Sequence, residues 1–347
     1  MRVIESNAAL PEELRGAVIA IGNFDGMHRG HQKLLDEARV LAEASGKPWG
    51  VLTFEPHPRS FFKPTEPVFR LTPKPLKLRL IRALGASFTV VQEFDADLSN
   101  LEAADFVVRH LVERLGVSHV VTGYDFHFGK GRRGSPAALV QFGQQQGFGV
   151  TIVDQVTDEG DAHSPFSSSS IRSALSHGHV EQASHELGYH WTVEGMVVHG
   201  DRRGRTIGFP TLNIIVEKGV EPFRGIYAVR VREADVPDAP VWQGAGYFGD
   251  RPTFETGRTF LEVYLIGFDG DLYGRTMLVE LVSLVRPDRR FEFDQRSCRA
   301  DEEGLHGSRG EASPTRRQQS ADRLSAGPAA GAGQALIGLF GLGRRIE

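Results

Sequence analysis

Residues 17–21 form a continuous apolar run that ends at a glycine. An unbroken run of that length predicts a parallel strand buried on both faces. The period then changes. Leu34, Ala38 and Leu41 recur at helical spacing, and Gly46 closes the segment as a C-cap. The alternation continues with strands over 49–54, 88–92, 119–122 and 150–153 and helices over 76–84 and 103–115. A stretch rich in Pro and Phe, 60–75, reads as irregular, and four serines at 167–170 open another helix. Strands alternating with helices predict a doubly wound, Rossmann-like α/β domain over 1–186.

From Trp191 onward the helical period disappears. Short alternating strands with Gly and Pro turns are predicted over 191–198, 225–232, 241–247, 259–266 and 276–285. Strands at this spacing predict a small closed β-barrel over 187–293, with a core separate from that of the first domain. Beyond it the pattern fails. Residues 294–347 are rich in Arg, Gly, Ala and Ser, with one short apolar run at 335–342. That composition predicts a disordered tail.

Composition narrows the picture. A chain of 347 residues suits two domains. A net charge of −4 and a pI near 6.4 leave no footprint for nucleic acid or an anionic membrane. Cys298 is the single cysteine, which excludes an intramolecular disulfide and fits a reducing compartment. Residues 1–10 lack the apolar core of a signal peptide, and no apolar run reaches a membrane span. The expectation is a cytoplasmic protein with small-molecule ligands and neither nucleic acid nor membrane as partner.

The stretch Gly22-Asn23-Phe24-Asp25-Gly26-Met27-His28-Arg29-Gly30-His31 sits between the first strand and the first helix. Its glycines let backbone approach a ligand, and the helix start offers free N–H groups and a positive dipole end. His28 and His31, three apart, can face one anion. Many βα turns look similar, and paired histidines also bind zinc. With one cysteine and no HExxH or CxxC pairing, phosphate is favoured over metal.

These ten residues resemble the HxGH-type nucleotidyltransferases. The form GxFDGxHxGH resembles the adenylyltransferase module of the bacterial bifunctional riboflavin kinase/FMN adenylyltransferases. By that resemblance Gly22, Phe24, Asp25, Gly26 and Gly30 bind ATP, and His28 and His31 stabilise its phosphates. Thr53-Phe54-Glu55-Pro56-His57-Pro58 falls at a strand's C-terminal end, where open α/β sheets bind ligands; for His57 a rim position and a plain loop are equally good readings. Gly123-Tyr124-Asp125-Phe126-His127-Phe128-Gly129-Lys130-Gly131-Arg132-Arg133-Gly134 suits a flat ring plus phosphates. It is similar to the family's GxDFxFGxxxxG segment, which implies that Asp125 and Phe126 lie near the flavin and 130–133 near phosphate. The serines of 167–170 are ordinary helix caps. With Arg172 they also resemble the family's SSTxIR element, which implies that Ser168, Ser169 and Arg172 contact the triphosphate.

The barrel segment carries its own motif. Gly200-Asp201-Arg202-Arg203-Gly204-Arg205-Thr206-Ile207-Gly208-Phe209-Pro210-Thr211-Leu212-Asn213 can be a basic hairpin, or a loop around an ATP tail with Thr211 and Asn213 as oxygen ligands toward Mg²⁺. It resembles the riboflavin kinase motif GxPTxN, so Gly208, Pro210, Thr211 and Asn213 are the implied ATP and metal positions. Glu262 stands in mid-strand among apolar neighbours, where glutamate is disfavoured. An edge salt bridge would account for it; by resemblance to the family's LEVxL strand it is the catalytic base.

Together the resemblance implies an enzyme that uses ATP with Mg²⁺ to make FMN from riboflavin and then FAD from FMN. Two departures stand out. Gly246-Tyr247-Phe248-Gly249 occupies the place of the family's Ala-Asn pair, and this suggests the alternative of an adenylyltransferase whose barrel binds flavin without phosphorylating it. Resemblance also stops soon after Arg286-Pro287, which suggests a shift of reading frame near residue 294.

Overall fold

The structure is a computed structural model and describes residues 1–6, 8–158, 164–199, 211–217, 219–249 and 260–288. The glycine- and arginine-rich loop 200–210, Gly208 and Pro210 included, and the tail 294–347 lie outside the described residues.

The first domain is a six-stranded parallel sheet. Its strands are β1 (Arg2–Glu5), β2 (Val18–Ile21), β3 (Trp49–Glu55), β4 (Phe88–Glu93), β5 (His119–Gly123) and β6 (Gly149–Val153), in the order β1-β4-β3-β2-β5-β6. Between them run α1 (Arg29–Ser45), α2 (Pro58–Phe62), α3 (Lys74–Ala83), α4 (Ala96–Asn100), α5 (Ala103–Asp105) and α6 (Pro136–Gln146). After β6 come α7 (Ser168–Ser176) and α8 (Val180–Leu187). Residues of β2 face two cores alternately: Val18 and Ala20 one, Ile19 and Ile21 the other. This double burial is why the strand reads as an unbroken apolar run. Strand order reverses between β2 and β5, so their C-terminal ends open a crevice.

Several elements depart from the expectation. β1 was not foreseen; four residues with one buried side chain leave no period to read. The irregular stretch contains the end of α2, with Pro58 at its first turn and His57 Nδ1 accepting the backbone N–H of Arg59 as cap. The helix expected over 103–115 continues from α5 as a π-helix over Phe106–Arg114, so the N–H of Leu115 reaches back to His110 O.

The second domain is a closed antiparallel barrel of β7 (Thr192–Val198), β8 (Thr211–Ile215), β9 (Gly225–Glu233), β10 (Trp242–Gly249), β11 (Phe260–Leu265) and β12 (Thr276–Pro287), ordered β10-β11-β8-β7-β12-β9. Leu261, Val263 and Leu265 alternate inward along β11.

The expectation of separate cores is not met. One apolar cluster runs from Val18, Leu34 and Leu80 through Tyr189 and Trp191 to Val263 and Val279 inside the barrel. Trp191, 1% exposed, donates its indole N–H to Leu71 O at 2.9 Å. Arg79 of α3 reaches Glu194 and Asp235 at 3.1 and 3.0 Å. The Phe223 N–H donates to Leu175 O at 2.9 Å. A single tryptophan at the junction of the two patterns, buried from both sides, fuses what periodicity separates.

Candidate active sites

The crevice beyond β2 and β5 is a cleft of about 360 Å³ lined by Gly22, Asn23, Asp25, His28, Gly30, His31, His57, Asp125, Phe126 and the serines at the start of α7. Strand order and helix starts bring together residues that lie far apart in sequence.

Backbone shape comes first. Gly26 has φ of +92°, and a β-carbon there would stand 2.7 Å from Leu71 Cδ1. Phe24 and Met27 also adopt positive φ, 50° and 41°, an unusual conformation held by its surroundings. Those surroundings are explicit. Thr72 Oγ1 accepts the Gly26 N–H at 2.9 Å, Tyr189 donates its hydroxyl to Gly26 O at 2.8 Å, and Ser168 donates to Asp25 O at 2.7 Å. Gln32 Nε2 donates to Met27 O and Leu187 O. The glycine-rich loop is therefore clamped from α7 and from the linker into the barrel.

His28 is the N-cap residue of α1, and His31 follows in its first turn. Their rings stack with centroids 3.7 Å apart, and Gly30 leaves the His28 ring room against the helix. Phe24 is fully buried beneath them, edge-on to His31 at 5.3 Å. Both histidine Nδ1 atoms are buried without a hydrogen-bond partner. Burial lowers His28 to about 4, aided by the Arg172 charge. His31 is held well below 6.5 by burial, then by His28, Lys77 and Arg172. Burial also lowers His57 to about 4. All three are neutral at pH 7, so each can donate one N–H without carrying charge.

Asp25 and Arg172 form an ion pair at 2.6 Å, and Arg172 Nε donates to Phe69 O at 2.7 Å. Asp25 is 1% exposed and also accepts the Thr72 N–H at 2.8 Å. Burial alone would raise its carboxyl; the Arg172 charge and the Thr72 N–H outweigh it and hold the group below the usual range. Sequence reading placed Asp25 and Arg172 on the nucleotide separately; their mutual pair across 147 residues was invisible to it.

Ser167 caps α7 through the Ser170 N–H, which leaves Ser168 and Ser169 at the cleft beside the helix start. On the far wall the Phe126 ring stacks on Phe128 with centroids 5.5 Å apart. Tyr124, His127 and Arg132 join that wall, whereas Lys130 and Arg133 do not line the cleft.

In the barrel, β11 lies between β10 and β8, so Glu262 is not on a sheet edge. Cross-strand register places Tyr247 opposite Glu262, and Glu262 opposite Asn213. Thr211 and Asn213 share one face of β8 by strand alternation. Asn213 is 7% exposed although it faces away from the barrel core that holds Ile214. A row of tyrosine, carboxylate and carboxamide thus crosses three strands on the outer face. Among the described residues no group of three or more His, Cys, Asp or Glu could hold a metal ion. Thr211 and Asn213 offer neutral oxygen donors of the kind Mg²⁺ takes alongside a nucleotide's phosphates.

A parallel-sheet crevice with a glycine-rich loop at its mouth, fused to a closed barrel with a polar outer row, defines a two-domain α/β-plus-barrel protein. Two family models match in tandem: FAD synthetase over residues 10–168 and riboflavin kinase over 187–295. The bifunctional riboflavin kinase/FMN adenylyltransferase of Escherichia coli K12 is 37% identical over 291 residues, 84% of this chain and 90% of that protein. Its Bacillus subtilis counterpart is 35% identical over 287 residues, covering 81% and 88%. The chain belongs to the bifunctional riboflavin kinase/FMN adenylyltransferase family. A Streptococcus pneumoniae crystal structure described as a macrolide-efflux protein also matches, with TM-score 0.71 and 27% identity over 89% of this chain and 100% of that one. Among the described residues no helix is long and apolar enough to cross a membrane.

Proposed function

We propose that the barrel phosphorylates riboflavin to FMN with ATP, and that the α/β domain adenylylates FMN to FAD with release of pyrophosphate. The observation that carries the second step is the stacked pair of neutral, unpartnered histidines at the start of α1, facing a cleft at the sheet's switch point. An FMN phosphate oxygen attacks the α-phosphorus of ATP, and the bond from that phosphorus to the bridging oxygen breaks. His28 and His31 donate to the phosphate oxygens on which charge grows, together with the α1 start. Gly22, Gly26 and Gly30 keep the backbone close to the nucleotide, and Ser168 and Ser169 add donors from α7. Arg172 and Asp25 act as a pair that fixes the loop. Asp125 and Phe126 flank the flavin.

In the barrel Glu262 takes the proton of the ribityl hydroxyl as its oxygen attacks the γ-phosphorus of ATP. Thr211 and Asn213 would hold Mg²⁺, which when bound neutralises phosphate charge. The alternative of an adenylyltransferase with a non-phosphorylating barrel is disfavoured, because the riboflavin kinase model matches the whole barrel segment, Tyr247 included. We place the enzyme in the cytoplasm with small molecules as its only ligands; no retention of nucleic acid in a filter-binding assay is the expected result.

The test is product chromatography with Mg-ATP. Riboflavin should yield FMN and then FAD, and FMN alone should yield FAD. FAD from FMN without any FMN from riboflavin would restore the alternative.

A further inference from the structure

A buried layer of charge underlies the nucleotide cleft. Lys77 of α3 is 1% exposed, and its Nζ donates to Glu55 Oε1 at 2.7 Å. Glu55, at the end of β3, also accepts Arg70 at 2.7 Å. Lys77 stands one residue from the cleft wall: Nζ lies 3.4 Å from Thr53 Oγ1, and that hydroxyl donates to Asn23 O, a cleft-lining residue, at 3.1 Å. Beside it lies the Asp25–Arg172 pair. Lys77, Arg70 and Arg172 face two carboxylates, Asp25 and Glu55, which leaves one positive charge in excess. Glu217 faces Arg70 from the barrel side at the solvent boundary, where burial raises its carboxyl, so the excess is counted over the groups on the α/β side alone.

Stability alone does not account for a lysine here. Its helix buries Leu76, Leu80 and Ile81 around it, and an apolar residue would satisfy that packing. Replacing a buried ion pair by apolar side chains is often neutral or stabilising. The layer reaches the reacting groups electrostatically, since Lys77 and Arg172 both help to keep His31 neutral. The adenylyl step as read above handles a triphosphate and expels pyrophosphate, both multiply anionic.

We infer that Lys77 is a positioning residue of the nucleotide site: it supplies the excess positive charge of a buried layer and so sets the cleft's affinity for polyphosphate. This rests on the adenylyltransferase reading of the cleft. Removing Lys77 brings the layer to zero. Removing Glu55 raises it to two. Removing both restores one, with the packing changed twice. A charge effect and a packing effect therefore predict opposite orders for the double variant.

The experiment uses the full chain with FMN and Mg-ATP and reads competitive inhibition of FAD formation by inorganic pyrophosphate and by adenosine. Relative to wild type, Lys77→Met should raise the pyrophosphate inhibition constant about tenfold, and Glu55→Gln should lower it several-fold. Lys77→Met/Glu55→Gln should return it to within about threefold, and adenosine, being uncharged, should keep its constant throughout. If Lys77→Met does not fold, as judged by circular dichroism, the tightening in Glu55→Gln still carries the test. One inhibition constant shared by all the folded variants, or a double variant worse than either single one, overturns the inference. A wild-type chain that makes no FAD from FMN overturns the reading of the cleft and this inference with it.

Discussion

At the residue scale the cleft presents uncharged imidazoles. His28 and His57 titrate near 4, and His31 lies well below 6.5, so FAD formation at saturating substrate should show no inflection near pH 6.5 arising from them. A steep loss of turnover between pH 7 and 6 that disappears in His28→Asn would contradict this. The same shifts act on stability. Between pH 6.5 and 4 the unfolded chain binds more protons at His28 than the native chain does, so stability is complete above the unfolded value and falls as pH drops. The slope is roughly 1.4 kcal/mol per pH unit for His28 while the two states differ by one proton. Urea midpoints measured at pH 7 and pH 5 should differ more for wild type than for His28→Asn. Removing a preorganised donor is a separate matter: His31→Ala should slow FAD formation on the order of 100-fold and leave FMN formation from riboflavin within about twofold. Glu262→Gln should do the reverse, slowing FMN formation roughly 100- to 10,000-fold. Legibility at this scale was uneven. His28, His31 and the serines of α7 stand in short motifs, so local spacing announces them. Lys77, Glu55 and Arg70 sit in ordinary amphipathic or Pro-rich surroundings, and only the fold brings their charges together.

At the element scale the long buried strands and α1 could be read directly, because each carries enough residues to express its period. β1 could not, since a four-residue strand that gains its register from β4 carries no pattern of its own. The linker from α8 to β7 reads in sequence only as a change of period, yet here it and the end of α8 hold the glycine-rich loop. Tyr189, 2% exposed, holds Gly26 O, and Leu187 O holds Gln32. Tyr189→Phe keeps the ring and deletes one donor, so a buried carbonyl on a strained loop loses its partner, at a cost of about 1–3 kcal/mol. The expected outcome is a fall in kcat for FAD formation with little change in KM for ATP, since the loop is misplaced rather than its ligand groups removed. Phosphorylation of riboflavin should be unaffected. An unchanged kcat in a variant whose melting temperature has dropped would mean that the hydrogen bond stabilises the fold without positioning the loop.

At the scale of the whole molecule, one apolar cluster spans both domains, so the two activities should be separable by mutation but not by unfolding. Sequence periodicity divides the chain cleanly near residue 187, because helices give way to strands there. It says nothing about which apolar faces meet, and here the interior of the barrel and the helical layer of the α/β domain belong to one continuous apolar cluster. Trp191 is the most informative residue for this. Its ring is fully buried, lies edge-on to Phe69 at 5.7 Å and donates to Leu71 O, while the strand it leads into closes the barrel against β12. Truncating such a side chain removes a large apolar contact area and leaves the carbonyl unpaired, at a cost of roughly 3–5 kcal/mol. If the cores were independent, Trp191→Ala would split the thermal transition, lowering one domain's melting temperature and sparing the other's. With a continuous core, the wild type should melt in a single calorimetric transition. Trp191→Ala should move that transition down as a whole, with both activities lost over the same temperature range. Val279→Ala, deep in the barrel and far in sequence from the α/β cleft, should also lower the temperature at which FAD formation from FMN is lost. Two resolved transitions in the wild type, with Val279→Ala shifting only one, would show that the two domains unfold independently despite the shared core.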